Sequence, residues 1–352
     1  MSTPAVQTVS APLRSATIRD VARTAGVSVA SASRALNGMT TVAPAMSERV
    51  LTAARQLRYV PDTAARALSR RRSDTIGVVL PDLHGEFFSE VIRGADLAAR
   101  ERGLHLLIST SHGDAAEAAA AIRAMRGRVD GLLLMSPHVD GHLLADNLAA
   151  DVPTVLINTQ VEGHPHTAFC VDNYAGAVAV VEHLASGAKA GGGSVAHISG
   201  PTDNLESQDR RRGFFDALNG VVGLVLEGDF SEESGYAAGL ALAEMNPRPA
   251  AVFAANDMMA IGCMLALADK GLVVPRDIAV AGFDDIPVAR LMRPSLTTVR
   301  ANIADLSRRA LECLAQIIDG EAPFRNAAQT VGSHLIVRES STHQTTAART
   351  AF

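Results

Sequence analysis

The chain is poor in cysteine, lacks tryptophan and contains no long apolar segment. Its three cysteines, Cys170, Cys263 and Cys313, are odd in number and far apart, which indicates neither a disulfide framework nor a zinc site. We expect small buried side chains in a reducing compartment. No apolar run approaches the ~18 residues that span a bilayer, and the N-terminus lacks a basic segment followed by an apolar one. The sequence therefore predicts no membrane span and no secretory signal, and it favours a cytoplasmic protein.

Motifs of common enzymes are missing as well. The patterns GxSxG, HExxH and GxGxxG do not occur, and the Gly191–Gly193 run is not followed by the Lys-Ser/Thr of a phosphate loop. We therefore expect no catalytic residues, no cofactor and no metal, and we interpret the glycine run as a surface loop. At 352 residues the chain is also too long for one compact domain.

Charge is distributed unevenly along the chain. Residues 1–72 hold eleven of the 32 basic residues and only three of the 37 acidic ones, a net charge of +8, so the remainder carries −13. A basic head on an acidic body is typical of a DNA-binding module, since arginines neutralise phosphates. The alternative is a basic face that is merely solvated.

Residues 17–37, TIRDVARTAGVSVASASRALN, predict two short helices joined by a glycine turn. Ile18 and Val21 repeat at helical spacing, Gly26 can end the first helix in the left-handed conformation, and Ser28 is placed to cap the second. A polar, arginine-bearing second helix is typical of a helix-turn-helix DNA reader. An ordinary αα-hairpin is the alternative, and the charge distribution favours DNA.

The pattern after these helices predicts a third helix and then an α/β body. The third helix is expected over residues 47–57, with Val50, Leu51, Ala54 and Leu57 on one face. Nine apolar runs from TIGVVLPD to DIAVAGFD then alternate with helical segments, which favours two doubly wound parallel-sheet lobes. The helices are expected near 87–102, 114–127, 140–149, 174–186, 207–218, 232–245 and 257–270.

Ligands of doubly wound sheets bind beyond the carboxyl ends of the strands, which here means the cleft between the lobes. Asp172 and Asp257 follow strands but are interpreted as helix caps. Asn158 and Asp284 precede extended, proline-containing segments, so capping explains them less well. The pair Phe87 and Phe88 stands at a strand-to-helix junction in a chain with only thirteen aromatic residues, so it could form a stacking platform or belong to the core.

These motifs together resemble the LacI/GalR family of bacterial transcriptional regulators over residues 17–340. Besides the helix-turn-helix, the matching segments include VPDTAARALSRRRSDTIGVVLPD, VPTVLIN, VDNYAGA, AVFAANDMMAIG and VPRDIAVAGFDDIP. The resemblance implies a hinge helix that orders on the operator and a core like that of periplasmic sugar-binding proteins. It further implies a homodimer on palindromic double-stranded operator DNA and a small effector in the cleft.

The resemblance implies a role in DNA contact for nine positions. Val29, Ala30 and Arg34 match base-edge contacts, because arginine can bind guanine and small apolar groups can touch a thymine methyl. Leu68 matches the hinge leucine that wedges into the minor groove. Ser28 and Ser33 resemble phosphate contacts, and Thr17, Asn37 and Ala65 complete the set. Ala32 departs from the usual valine of the motif, which would reduce packing there without abolishing the fold.

The resemblance implies effector contact for seven positions in the body. Asn158, Arg210, Asn256 and Asp284 match polar positions that bind sugar hydroxyls, and Phe87, Phe88 and Phe230 match aromatic ones. Relatives that bind purine bases have Arg and Thr where this chain has Asn204 and Glu206, which disfavours a nucleobase.

The sequence thus predicts a DNA-binding regulator at the nucleoid, a repressor of carbohydrate catabolic or transport genes that responds to a sugar-like effector. A non-sugar effector or corepressor, such as a nucleobase, and a stand-alone sugar-binding protein are the alternatives. The expected organisation is a disordered tail (1–16), a helix-turn-helix domain (17–60), a hinge helix and linker (61–73), a two-lobed effector and dimerisation domain (74–340) and a C-terminal tail (341–352).

Overall fold

A computed structural model describes residues 16–37, 42–60, 72–137, 146–148, 152–159, 166–321 and 328–342. The chain divides into two compact units, residues 1–73 and 74–352. In the first unit the described residues form three helices, α1 (Ile18–Ala25), α2 (Val29–Leu36) and α3 (Pro44–Gln56).

The three helices enclose a small apolar core that includes Val21, Ala32 and Val50, all with no exposed surface. Gly26 adopts the left-handed conformation with φ 64° and ends α1, as predicted. The third helix begins at Pro44 rather than residue 47, because the fixed φ of proline suits the first helical turn. The prediction of Leu51 on the buried face is wrong: its side chain is 46% exposed, and the core position belongs to Ala53 instead.

The second unit alternates strands and helices. Its strands are β1 (Thr75–Leu80), β2 (His105–Thr110), β3 (Gly131–Met135), β4 (Thr154–Ile157), β5 (Thr167–Val171), β6 (Val195–Ser199), β7 (Gly223–Glu227), β8 (Ala251–Ala254), β9 (Ala279–Ala281), β10 (Thr298–Arg300), β11 (Ala328–Val331) and β12 (His334–Ile336). Its helices are α4 (Glu86–Glu101), α5 (Ala115–Met125), α6 (Asn173–Gly191), α7 (Leu205–Ala217), α8 (Glu232–Glu244), α9 (Asp257–Asp269) and α10 (Ile303–Ile318).

The strands form two parallel sheets, as the continuous apolar runs predicted. The first sheet has the order β11-β5-β4-β3-β1-β2 and the second the order β7-β6-β8-β9, with every pairing parallel. A short antiparallel pair, β10 with β12, accompanies them. Because β11 pairs with β5, the chain returns to the first sheet after completing the second.

Helices cover both faces of each sheet. In the first sheet, Ile76 and Val78 on one face pack with α4 and α10. Leu132 and Leu134 on the opposite face pack with α5. The same alternation holds in the second sheet, where α6 and α7 cover one face and α8 and α9 the other. A single apolar cluster reaches from the first sheet through α6 to the second, so the two sheets share a continuous core.

Five elements of the body differ from the sequence prediction. The sequence does not predict the helix α10 or the strands β10, β11 and β12. The helix α6 continues through Gly191, so residues 187–191 are helical, and the predicted glycine-run loop is restricted to Gly192 and Gly193. Most of the helix expected at 140–149 lies outside the described residues.

No helix among the described residues is long and apolar enough to cross a membrane. Cys263 is buried as expected, whereas Cys170 and Cys313 are partly buried.

Candidate functional site

The exposed side of α2 carries the residues expected to read base edges. Val29 is 44% exposed, and Ser28, Ala30 and Arg34 are exposed as well. The Ser28 hydroxyl accepts a hydrogen bond from the Ser31 amide at 3.1 Å, so Ser28 begins the helix as the predicted cap. The Arg34 Nε donates to the Ala30 carbonyl at 3.3 Å. Side chains able to reach a nucleic acid therefore stand on one helix face.

The other expected DNA contacts flank this face. Thr17 precedes α1 and forms a capping box with the first turn of that helix. Ser33 is half-buried, and its hydroxyl accepts a hydrogen bond from the Asn37 amide at 3.5 Å. Ala65 and Leu68 lie outside the described residues.

A cavity of about 440 Å³ lies between the loops that follow strands of the two sheets. Its walls are built after β1, β2, β3, β6, β7, β8 and β9, where the topology predicts a ligand site. Six of the seven expected effector residues line it: Phe87, Phe88, Arg210, Phe230, Asn256 and Asp284. The seventh, Asn158, is not among the lining residues.

Arg210 is the centre of a buried polar cluster at this cavity. Its Nε donates to the Asn173 amide oxygen at 2.9 Å, and its Nη1 donates to the Ala255 carbonyl at 2.5 Å. Its Nη2 lies 3.5 Å from a Glu206 oxygen and 3.4 Å from an Asp284 oxygen. One cation therefore stands between two carboxylates, and all three side chains are more than 90% buried.

The two carboxylates respond to burial in the same direction. Burial raises the pKa of Asp284 to about 7, and the negative charge of Glu206 raises it further. The positive charge of Arg210 acts in the opposite direction. Burial likewise raises the pKa of Glu206, again against the influence of Arg210. Desolvation thus outweighs ion pairing at both groups, as is usual when a charge loses its water. The Oδ1 of Asp284 accepts no hydrogen bond from the described residues.

Asn158 supports the cavity from behind its wall. Its amide nitrogen donates to Glu206 at 2.8 Å, and its amide oxygen accepts a hydrogen bond from the Val171 backbone at 2.9 Å. Asn158 follows a strand of the first sheet, and Glu206 belongs to a helix of the second, so this hydrogen bond joins the two halves of the body. In the described structure Asn158 therefore orients Glu206.

Positive backbone φ angles occur at three of the expected effector residues, Asn158 (45°), Phe230 (71°) and Asp284 (110°). For bulky residues such angles are strained, and strain of this kind concentrates at binding sites. The Phe230 carbonyl accepts a hydrogen bond from Asn256 at 2.9 Å, which holds the loop. A Cβ at Gly200 would overlap the Phe230 ring, so the ring position requires glycine there.

The paired phenylalanines lie both at the cavity and against the core. The rings of Phe87 and Phe88 meet edge to face with centroids 5.2 Å apart. Both side chains line the cavity, and both pack against the main apolar cluster. They provide an apolar wall opposite the Arg210 cluster.

The two predicted helix caps have different outcomes. Asp172 accepts a hydrogen bond from the Ala175 amide at 2.9 Å, which confirms the prediction. The capping role predicted for Asp257 is wrong, because Asn256 caps α9 through the Met259 amide. The buried Asp257 carboxylate instead accepts a hydrogen bond from the Ile286 amide at 3.0 Å and fixes the loop after β9.

Glu206 is the site residue that sequence reasoning overlooked. At the sequence level, this position served only to argue against a purine ligand. In the structure, Glu206 lines the cavity and contacts both Asn158 and Arg210. The available signal was its spacing, since positions 206 and 210 share one face of a helix. Among the described residues no group of three or more His, Cys, Asp or Glu side chains could hold a metal ion.

Two family models match the chain. The model for bacterial regulatory proteins, lacI family, covers residues 17–62, and the model for a periplasmic binding protein-like domain covers residues 181–341. The transcriptional regulator GalS of Salmonella typhimurium is 36% identical over 306 residues, which cover 85% of this chain and 89% of GalS.

Solved structures agree with these matches. The lac repressor dimer bound to operator and the anti-inducer ONPF superposes with a TM-score of 0.82 at 27% identity, covering 94% of this chain and all of that one. A complex of the transcriptional regulator CelR with cellobiose gives a TM-score of 0.68 at 32% identity, covering 92% and 99%.

The fold, the exposed helix and the matches together define a DNA-binding transcriptional regulator with a helix-turn-helix and a periplasmic-binding-protein-like body. Relatives of this chain are named as regulators, which confirms the prediction that it is not an enzyme. The chain belongs to the lacI family of bacterial regulatory proteins.

Proposed function

We propose that this regulator represses carbohydrate catabolic or transport genes and that a small sugar-like effector in the cleft changes its operator affinity. The observation that carries the proposal is the cavity of about 440 Å³, where the Arg210–Asp284–Glu206 cluster faces phenylalanine rings. Sugars need both surfaces, because their hydroxyls donate and accept hydrogen bonds while their C–H faces pack on aromatic rings. The crystallised complexes of two similar regulators with ONPF and cellobiose support the same ligand class.

On the DNA side, Val29, Ala30 and Arg34 select the operator. Their exposure on α2 supports direct contact with base edges in the major groove. Ser28 and Ser33, with Thr17 and Asn37 beside them, position the helix on the phosphates. In the hinge, we assign DNA contact to Ala65 and Leu68, with Leu68 as the minor-groove wedge that the family resemblance implies.

On the effector side, Phe87, Phe88 and Phe230 supply the apolar walls. Arg210, Asn256 and Asp284 bind hydroxyls directly, and Asn158 acts through Glu206. The head (17–60), hinge (61–73) and body (74–340) form the working units of a homodimer on palindromic DNA. Because its target is chromosomal DNA, the protein works in the cytoplasm at the nucleoid.

The effector acts as an inducer. A ligand shifts an equilibrium only by its differential affinity for two states, so an inducer must bind the low-affinity form of the regulator more tightly. Hydrogen bonds such as Asn158–Glu206 and Leu205–Pro137 join the two halves of the body across the cleft, and a ligand that favours a different cleft geometry would act on these contacts.

A two-part experiment tests this function. A thermal-shift screen over sugars, polyols and purine bases identifies the effector, since a ligand of the native state raises the melting temperature. A gel shift on DNA upstream of neighbouring genes then measures operator affinity with and without that compound. Absence of sequence-specific DNA binding would contradict the proposed repressor function. A response to a purine base alone would contradict the sugar effector and favour a nucleobase corepressor.

Two variants separate the halves of the mechanism. Arg34→Ala should weaken operator binding by about 1–3 kcal/mol with effector affinity unchanged. Asp284→Asn, which keeps the side-chain shape, should retain operator binding and lose the response to the effector. Calorimetry and gel shifts measure both quantities for each variant, and an exchange of the two phenotypes would contradict the assignment.

A further inference from the structure

We propose that the cleft selects its effector by charge: it takes a neutral or amino-bearing polyhydroxy compound and rejects sugar phosphates and sugar acids. This inference rests on the proposed function and narrows its ligand class. Three features of the described cavity carry it, namely the sign of its lining, the commitment of its arginine and the occupation of its helix N-termini.

Acidic groups dominate the lining of the cavity. One arginine, Arg210, is accompanied by two exposed histidines at positions 84 and 112. Seven acidic side chains line the same cavity, and five of them lie outside the Arg210 cluster: Asp82, Glu86, Asp229, Glu232 and Glu233. A cleft lined by one sign of charge focuses its potential, so an anion meets repulsion on approach and an ammonium group meets attraction.

The guanidinium of Arg210 has little capacity left for an anion. Its Nε, Nη1 and Nη2 are engaged by Asn173, by the Ala255 carbonyl and by the two carboxylates. The ring of Phe283 covers one face, with its centroid 3.9 Å from the guanidinium carbon. A phosphate or carboxylate requires the paired N–H groups of a free guanidinium edge, and this geometry removes that edge.

Helix N-termini would ordinarily favour an anion at such a place. Four helices, α4, α7, α8 and α9, begin at the cavity, and each carries its own acidic residue in the first turn. In three of them a side chain also caps the amides: Asn204 in α7, Ser231 in α8 and Asn256 in α9. The chain therefore supplies the negative charge that a phosphate would otherwise bring.

Calorimetry on the full-length protein with matched ligands tests the inference. The probes are glucose, glucosamine, glucuronate and glucose 6-phosphate, the same four derivatives of galactose, and cellobiose. In each series that binds, we expect the neutral or amino compound to bind more tightly than the acid and the phosphate by about tenfold or more, which is about 1.4 kcal/mol or more. Raising the salt concentration should narrow this gap, because ions screen the cleft.

Two charge variants locate the cause. Glu233→Gln and Glu232→Gln should each bring the affinity of the anionic derivative closer to that of the neutral one, by about threefold, because each removes one repulsive charge from the cavity lining. Glu101→Gln is the matched control, since Glu101 is exposed at the opposite end of α4, about 20 Å along the helix from Glu86, and it should leave the ratio unchanged.

The outcomes separate this inference from the function on which it rests. Tightest binding by a phosphate or an acid overturns the charge selection and leaves a sugar-like effector standing. Neutral preference that persists unchanged in both charge variants also overturns it, because the lining would not be the cause. If no compound of any charge binds, the sugar effector itself fails, and the charge selection fails with it.

Discussion

Asp284→Asn should make the protein more stable at neutral pH while it abolishes the response to effector. The substitution replaces a buried carboxylate by a neutral side chain of nearly the same shape. Burial raises the pKa of Asp284 from 3.8 to about 7, so the folded state holds this proton more tightly than the unfolded state does. Stability attached to this group is therefore lost as pH rises from about 4 through about 7.

The pKa interval sets the expected size of the effect. Each pKa unit is worth about 1.4 kcal/mol, and the interval from 3.8 to about 7 covers roughly three of them, or ~4 kcal/mol. Asparagine mimics the protonated form and does not incur this cost. The gain in unfolding free energy should thus be small near pH 4, grow across the interval and level off above pH 7.

Urea denaturation followed by circular dichroism at pH 5, 6, 7 and 8 measures the difference between variant and wild type. The charged groups around position 284, namely Arg210, Glu206 and Asp257, are present in both proteins, as is the buried His197, so their own titrations largely cancel. Asp96→Asn, at an exposed carboxylate on α4, is the control and should change stability little. A difference that stays constant from pH 5 to pH 8, or a loss that grows with pH, would refute the reasoning.

Three further predictions concern single contacts. Burial lowers the pKa of His197 to about 4, so the contribution of this group to the free energy of unfolding should decrease as pH falls from 6.5 towards 4. In urea titrations, His197→Leu should therefore lose less stability than the wild type between pH 7 and pH 5. Gly200→Ala should displace Phe230 and weaken effector binding about tenfold in calorimetry, with operator binding kept; unchanged affinity would contradict the role of this ring. Ser28→Ala removes the cap on the Ser31 amide and should destabilise the helix-turn-helix unit by about 1 kcal/mol in thermal melts, whereas Ser28→Asn should restore the loss.

The sequence predicted those elements whose side chains repeat with a clear period. All nine apolar runs are strands. The central strands, such as β1, β3 and β4, are buried on both faces and therefore need continuous apolar sequence. The unexpected strand β11 lies at a sheet edge with three of its four residues exposed, so it has no such run. The helix α10 is readable from the sequence, because the apolar residues Ile303, Leu306, Ala310 and Leu314 recur at helical spacing on one buried face. It follows the last predicted strand, so it lies outside the regular strand–helix alternation.

The candidate site followed from topology more than from residue type. Strand ends predicted where the cavity lies, and the resemblance selected six residues that line it. The approach of Glu206 to Arg210 is readable from the sequence, because the two residues lie one helical turn apart. Sequence could not reveal that Asn158 directs its amide nitrogen to Glu206, because this hydrogen bond joins segments 48 residues apart. The cap at Asn256 rather than Asp257 shows the same limit, since one residue of shift decides which side chain reaches the amides.

The central claim is that occupancy of the cleft sets the DNA affinity of α2. Fluorescence anisotropy on operator DNA, titrated with the effector found by the thermal screen, tests it most directly. We predict that a saturating neutral or amino-bearing sugar lowers operator affinity of the wild type by about tenfold or more and leaves that of Asp284→Asn unchanged. Equal operator affinity with and without the bound effector, or an undiminished response in Asp284→Asn, would contradict the account.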